Sequence, residues 1–148
     1  MTASVVSLIS SPNDLNADTV LSFLTPRSTI SVGVLGRLMR SQSIKKNICV
    51  LSTGSLIHRL DLFQRGNQET PPAAVEYLNL CISAFNEGNW EKIWSAPPDI
   101  VKAAAPEGHN LPLRFIQGAV GEKFKSRVLS NEIEFNAASL TTVVFESL

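Results

Sequence analysis

The residues best suited to acid–base chemistry in this sequence are a histidine and an aspartate close together in the chain. His58 precedes Asp61 by three residues, so in a helix the two side chains lie on one face. A carboxylate beside an imidazole can orient it as a general base. Hydroxyl groups that such a base would activate are near at Ser52, Thr53 and Ser55. This arrangement predicts, as one alternative, a small hydrolase that uses His58 and Asp61.

The common sequence motifs of catalysis and cofactor binding do not support that alternative. No Gly-x-Ser-x-Gly pattern frames a serine, and the patterns of zinc proteases, P-loops and dinucleotide-binding loops do not occur. The second histidine, His109, lies in a polar segment between prolines. Cys49 and Cys81 lie far apart in apolar stretches, which is typical of buried thiols rather than of a zinc site. We therefore expect no metal, no cofactor and, as the main interpretation, no enzymatic activity.

Charge is unevenly distributed along the chain, although thirteen basic and thirteen acidic residues cancel. Residues 19–60 contain six basic residues and no acidic one, whereas residues 61–112 contain seven acidic residues and three basic ones. A locally basic segment is typical of proteins that bind nucleic acid or an anionic lipid surface. The two segments could equally meet across the fold or between two copies of the chain.

A second group of basic residues lies near the end of the sequence. Lys123, Lys125 and Arg127 alternate with other residues, so on a strand the three side chains share one face. An ordinary solvated sheet face is the alternative explanation. The predicted anion-binding residues are Arg37, Arg40, Lys45, Lys46, Lys123, Lys125 and Arg127.

One apolar stretch, residues 71–87, predicts a buried helix around which the other elements pack. Thr70 and the two prolines after it suit a helix N-terminus, and Gly88 suits a left-handed C-terminus. Apolar residues three and four positions apart predict the buried face. Its members are Val75, Leu78, Ile82 and Phe85, widened by Tyr77, Cys81 and Ala84.

The other elements are predicted from apolar periodicity and turn signals. Strands are expected at residues 4–9 and 47–53, and helices at residues 17–24, 56–65 and 99–105. Residues 28–43 fit either a strand or a helix, with a helix favoured from Val34. Trp90 and Trp94, one turn apart, fit either a partner-anchoring pair or part of the core, and the core role is favoured. From Leu111 onward the segments are predicted to be strands, with a turn at Ser130 and Asn131.

Helices first and strands last predict an α+β fold. We expect a single domain over residues 1–148, in which N-terminal helices pack around the buried central helix beside a C-terminal antiparallel sheet. No apolar run reaches the ~20 residues of a membrane span, and the N-terminal segment lacks the features of a signal peptide. The expected location is therefore cytoplasmic.

These features favour a non-catalytic binding or assembly protein. Its basic face would meet nucleic acid or an acidic membrane surface, and self-association is a further expectation because neutral net charge does not oppose it. Small size, a local basic face and no catalytic motif are typical of small viral matrix or accessory proteins. A homo-oligomeric structural subunit without either ligand is the remaining alternative.

Overall fold

The computed structural model describes residues 4–10, 20–23, 36–38, 40, 48–50, 52–66 and 68–148. They belong to two compact units: a first unit of residues 1–54 and 111–121, and a second unit of residues 55–110 and 122–148. Helices and strands both occur, so the predicted α+β class is confirmed. A single domain over residues 1–148 stays a prediction.

The described elements follow one another in a mixed order along the chain. The strands are β1 (Ser4–Ser10), β2 (Val20–Phe23), β3 (Ile48–Val50), β4 (Phe124–Glu134) and β5 (Ala138–Ser147). The helices are α1 (Leu60–Gln64), α2 (Pro72–Glu87), α3 (Trp90–Trp94), α4 (Pro98–Ala104) and α5 (Leu111–Val120). A 3-10 turn, Glu107–Asn110, precedes α5.

The first unit contains an antiparallel sheet in the order β2–β1–β3. The strand predicted at residues 4–9 is confirmed by β1, and the strand predicted at residues 47–53 is confirmed at β3 but does not extend to Ser52 and Thr53. The helix predicted at residues 17–24 is wrong for the part that the structure describes, since Val20 pairs with Ser7 and Phe23 with Ser4. Pairing with β1 satisfies the backbone there, and valine and phenylalanine suit a strand better than a helix.

Helix α5 belongs to the first unit and lies against the helical residues 36–38 and 40. A Cβ atom at Gly36 would collide with the backbone of Phe115 and Gly118, so glycine permits this close approach. The helix favoured from Val34 is confirmed at these residues. The strand predicted from Leu111 is wrong, because Phe115 and Gly118 form a buried face at helical spacing.

Helix α2 forms the core of the second unit, as predicted. Its buried residues are Ala74, Tyr77, Leu78, Cys81, Ala84 and Phe85. The buried face is rotated slightly from the predicted one, so that Val75 and Ile82 are only half-buried. At 16 residues α2 is the longest helix described, and no helix in the described part of the chain has the length and apolar character needed to cross a membrane.

The two ends of α2 differ in how well the sequence predicted them. Gly88 ends the helix in the left-handed conformation with φ 67°, as expected. Thr70 does not cap the N-terminus, because its hydroxyl donates to the Asn136 carbonyl at 2.8 Å and Pro71 occupies the cap position. The threonine therefore ties the start of α2 to the turn between β4 and β5.

Strands β4 and β5 form one long antiparallel hairpin against α2. The pairing runs from Phe124 opposite Ser147 to Glu134 opposite Ala138. The Ser126 hydroxyl donates to the carbonyl of Phe85 at 2.7 Å, which joins the hairpin to the end of α2. The predicted C-terminal antiparallel sheet is confirmed. The turn predicted at Ser130 and Asn131 is wrong, because β4 passes through these residues after a register shift between Val128 and Ser130.

An aromatic cluster covers the open end of the hairpin. The Trp90 ring lies 4.5 Å from the ring of Phe124 and 5.6 Å from that of Phe145, between centroids. Trp94 stacks on Trp90 at 6.3 Å. Asn89 caps α3 by accepting from the Lys92 backbone nitrogen at 3.3 Å. The core role favoured for the tryptophans is confirmed for Trp90, while Trp94 is half-buried.

The two apolar positions 78 and 82 of α2 provide a matched pair for a stability test. Leu78→Ala should lower the free energy of unfolding by about 2–5 kcal/mol, because its side chain is 2% exposed and leaves a cavity. Ile82→Ala should cost only about 1–2 kcal/mol, because less apolar area returns to water. Urea denaturation followed by fluorescence measures both. Equal losses at the two positions would contradict the observed orientation of α2.

Cys81 should be unreactive in the folded protein. Burial raises the pKa of its thiol from 9.0 to about 12, so very little thiolate exists at pH 8. A thiol reagent should label Cys81 slowly in native buffer and rapidly in urea. The raised folded-state pKa also means that its contribution to stability is complete below pH 9 and is lost as the pH rises toward 12. Rapid native labelling would contradict the buried position.

Candidate functional site

The candidate site is built on a segment outside the helices and strands, residues 55–59, that lies beside the start of β5. His58 pairs with Ala138 as an isolated antiparallel bridge. The backbone nitrogen of Arg59 donates to the carbonyl of Ala137 at 2.6 Å. The helix predicted at residues 56–65 is therefore wrong before Leu60, where α1 begins. Residues 55–59 instead meet the edge of the hairpin through this one isolated bridge and the hydrogen bonds around it.

One buried hydroxyl accepts the hydrogen bonds of the two most buried amides of this segment. Ser139 is only 2% exposed, and its Oγ accepts hydrogen bonds from the backbone nitrogens of Leu56 at 2.9 Å and Ile57 at 3.0 Å. The Ser139 backbone nitrogen also donates to the Ile57 carbonyl at 3.0 Å. Ser139 thus satisfies three polar backbone groups of a buried segment that has no regular ladder of its own.

The other side of the segment is bonded to the end of α4. The backbone nitrogen of His58 donates to the Ala104 carbonyl at 2.9 Å. The guanidinium of Arg59 donates to the Ala103 carbonyl at 2.8 Å. These carbonyls belong to the last turn of α4, where donors are needed and positive charge is favoured. The backbone at His58 is consequently fixed from both sides.

The imidazole of His58 faces a carboxylate. Its Nδ1 lies 3.8 Å from Glu107 Oε2, and the two side chains are 28% and 20% exposed. Nδ1 is buried and has no hydrogen-bond partner among the described residues. The distance is too long for a hydrogen bond but short enough for an ion pair when the imidazole is protonated.

Glu107 is held in position by the first residue of the same segment. Its Oε2 accepts from the Ser55 backbone nitrogen at 3.1 Å, and its own nitrogen donates to the Ser55 carbonyl at 2.9 Å. This double contact fixes the carboxylate on the Nδ1 side of His58. An imidazole that loses or gains a proton beside a fixed carboxylate is an arrangement suited to acid–base chemistry.

The predicted pair of His58 and Asp61 is wrong. Both oxygens of Asp61 accept hydrogen bonds from Arg59, at 2.8 Å and 3.0 Å. These bonds lower the pKa of Asp61, so the carboxylate is committed to the guanidinium. Glu107 takes the place that Asp61 was predicted to fill. Because Glu107 is distant in sequence, no local spacing pattern around His58 could have identified it.

The predicted anion-binding residues are divided between the two units. In the first unit Arg37 is exposed, whereas Arg40 is half-buried with its guanidinium against Gly121, and Lys45 and Lys46 lie outside the described residues. In the second unit Lys123, Lys125 and Arg127 are all exposed on β4 or beside it. A role for these residues in binding an anion stays a prediction, as does a nucleic-acid or lipid partner.

Comparison with known families decides the class of protein. A model of the catalytic LigB subunit of aromatic ring-opening dioxygenase matches residues 17–146. The chain belongs to this family. Comparison with curated proteins and with solved structures gives no significant match. The LigB match covers His58, Glu107 and the elements that position them.

Membership of the LigB family overturns the main functional interpretation of the sequence. The family is one of catalytic subunits, so the prediction of a non-catalytic binding protein, including a viral matrix or accessory protein, is wrong. The structural-subunit alternative is wrong for the same reason. The hydrolase alternative names the wrong reaction class. No short sequence motif of this family was identified in the chain, so the residues alone did not point to it.

A dioxygenase raises the question of a metal centre. Non-haem iron oxygenases commonly bind iron through two histidines and one carboxylate. His58 and His109 are the two histidines of the chain. Among the residues that the structure describes, no three His, Cys, Asp or Glu side chains form a group able to hold a metal ion. The described residues therefore do not fit such a centre, and the sequence prediction of no metal and no cofactor stays a prediction.

The Ser139 hydroxyl should matter more for stability than an exposed serine on the same hairpin. Ser139→Ala leaves the Leu56 and Ile57 nitrogens buried without an acceptor and should cost about 1–3 kcal/mol of unfolding free energy. The matched change Ser130→Ala, at an exposed position of β4, should be nearly neutral. Thermal and urea unfolding measure both variants. Equal stabilities would show that Ser139 does not secure the segment.

Proposed function

We propose that this LigB-family chain takes part in the oxygen-dependent opening of an aromatic ring, with His58 as its proton-transfer residue. The family supplies the reaction class. The observation that carries the assignment of His58 is the buried Nδ1 atom, which has no hydrogen-bond partner among the described residues and faces Glu107 at 3.8 Å. An imidazole on a fixed backbone, with a carboxylate beside one of its nitrogens, has the geometry of a general base.

The proposed role of His58 is to remove a proton from a hydroxyl group on the aromatic substrate. Loss of that proton makes the ring richer in electrons and more open to attack by oxygen. Glu107 would stabilise the resulting imidazolium through the charge on Oε2, and the other ring nitrogen, Nε2, would exchange the proton with the substrate. His58 would later return the proton to the opened product.

Glu107 acts in this proposal as a positioning residue, because its contact is with His58 and not with substrate. The carboxylate is fixed by Ser55, and the His58 backbone is fixed by Ala104 and by the bridge to Ala138. Rigid placement of a base reduces the reorganisation that proton transfer requires.

We further propose a cytoplasmic location, which is supported by the unbridged thiol of Cys81.

The proposal is tested by oxygen uptake with a series of dihydroxybenzenes, in buffer with and without added ferrous iron. His58→Gln should lower kcat by about 100-fold or more, because a general base contributes about that factor. Glu107→Gln should cause a smaller loss in kcat with little change in KM, because it acts through His58. The exposed Arg65→Gln variant serves as the control and should retain wild-type uptake.

Two results would contradict the proposal. One is the absence of oxygen uptake by the wild-type chain with every dihydroxybenzene under both conditions. The other is wild-type kcat in the His58→Gln variant, which would remove the imidazole from the reaction. Circular dichroism of each variant separates a loss of activity from a loss of folding.

A further inference from the structure

Strand β4 has an edge that no described strand covers. Its other edge is paired with β5 along the whole hairpin, in a sheet of two strands. Beyond Phe124, whose carbonyl lies close to Gly88 at the end of α2, this edge of the 11-residue strand pairs with no strand among the described residues and presents backbone donors and acceptors to a further strand. Which residues present them follows from the hydrogen bonds at the two ends of the hairpin.

In an antiparallel pair, alternate residues direct their backbone groups toward the partner strand or away from it. The Lys123 carbonyl accepts from Leu148, so Lys123 points toward the β5 side, and Ser126 and Val128 point away. At the other end Ser139 donates to Ile57 and not to β4, so the opposite residue, Ile133, also points away. Asn131, two residues earlier, has the same orientation as Ile133.

Four charged side chains lie on one face of β4, with the two basic ones in its first half and the two acidic ones in its second half. Lys125 and Arg127 lie opposite Glu146 and Val144, and Glu132 and Glu134 lie opposite Leu140 and Ala138. These four partners are an even number of residues apart on β5, so their side chains lie on one face of the hairpin. The four charged residues paired with them lie on that same face. β4 is therefore basic in its first half and acidic in its second, and none of the four forms an ion pair among the described residues.

We propose that β4 pairs antiparallel with β4 of a second copy of this chain, about a twofold axis between Leu129 and Ser130. In this register Lys125 lies opposite Glu134 of the other copy, and Arg127 lies opposite Glu132. The outward-pointing backbone groups also match, since Ser126 meets Ile133 and Val128 meets Asn131. A twofold axis makes each contact occur twice.

The register shift within β4 supports this particular axis. Without it, the two halves of the strand would present their charges on opposite faces, and antiparallel self-pairing would set charge against apolar side chains. The shift lies between Val128 and Ser130, beside the proposed axis. It places the charged side chains of both halves of β4 on the same face. Leu129, which is 53% exposed, would lie at the centre of the joined sheet and lose part of that exposure.

The pair formed by Arg127 and Glu132 provides the sharpest test. In its own hairpin Arg127 faces Val144 and Glu132 faces Leu140, so neither charge has an opposite charge across the hairpin. Sedimentation velocity from about 1 to 100 μM should show a reversible dimer of the wild-type chain. Arg127→Glu alone, or Glu132→Arg alone, sets two like-charge pairs across the axis and should raise the dimer Kd about tenfold or more.

The double variant Arg127→Glu with Glu132→Arg restores both opposite-charge pairs and should return the Kd to near the wild-type value. Lys102→Glu, an exposed charge reversal on α4, is the control and should leave the Kd unchanged. A wild-type chain that remains monomeric to 100 μM would overturn the proposal. So would a dimer indifferent to Arg127→Glu, or a double variant that fails to recover, since either result rejects this register.

Discussion

The second unit depends on how one buried backbone segment satisfies its hydrogen bonds. Residues 55–59 belong to no helix or strand, yet Leu56 and Ile57 are buried. A buried backbone amide without a hydrogen-bond acceptor costs more free energy of folding than most single contacts contribute. This segment can therefore be buried only if acceptors are supplied. The Ser139 hydroxyl supplies them for both residues, and β5 and α4 satisfy the groups that follow.

The geometry of the candidate site follows from this constraint. Once residues 55–59 are fixed, His58 is fixed with them, and the two contacts between Ser55 and Glu107 hold the carboxylate on the Nδ1 side of the imidazole. Asp61 does not compete with Glu107 for the imidazole, because both of its oxygens accept hydrogen bonds from Arg59. Asp61 is nearer to His58 in the sequence than Glu107 is. Glu107 nevertheless lies beside the imidazole, because it is hydrogen-bonded to Ser55 while Asp61 is hydrogen-bonded to Arg59.

The sequence predicted well those elements whose signals are local. Helix α2 has a long apolar periodicity and ends at Gly88, so it could be predicted from the residues alone. The antiparallel sheet was predicted from its β-rich residues, but Ser130 and Asn131 were wrongly predicted to be a turn, because a register shift lets β4 continue through them. Residues 20–23, residues 55–59 and α5 could not, because their conformation is decided by partners elsewhere in the chain. Glu107 was missed for the same reason, since its role exists only through contacts with a segment about fifty residues earlier.

Family membership and geometry complement each other in this chain. The LigB match gives the reaction class but assigns no role to a residue, whereas the structure gives His58 and Glu107 a defined geometry. Ser139 secures the segment that carries His58, and hydrogen exchange of the backbone amides, followed by NMR, tests this directly. In the wild-type chain Leu56 and Ile57 should exchange at least about 100-fold more slowly than the exposed Thr53 amide, and Ser139→Ala should remove most of that protection. Rapid exchange of all three amides in the wild-type chain, or protection that Ser139→Ala leaves unchanged, would contradict this role of Ser139.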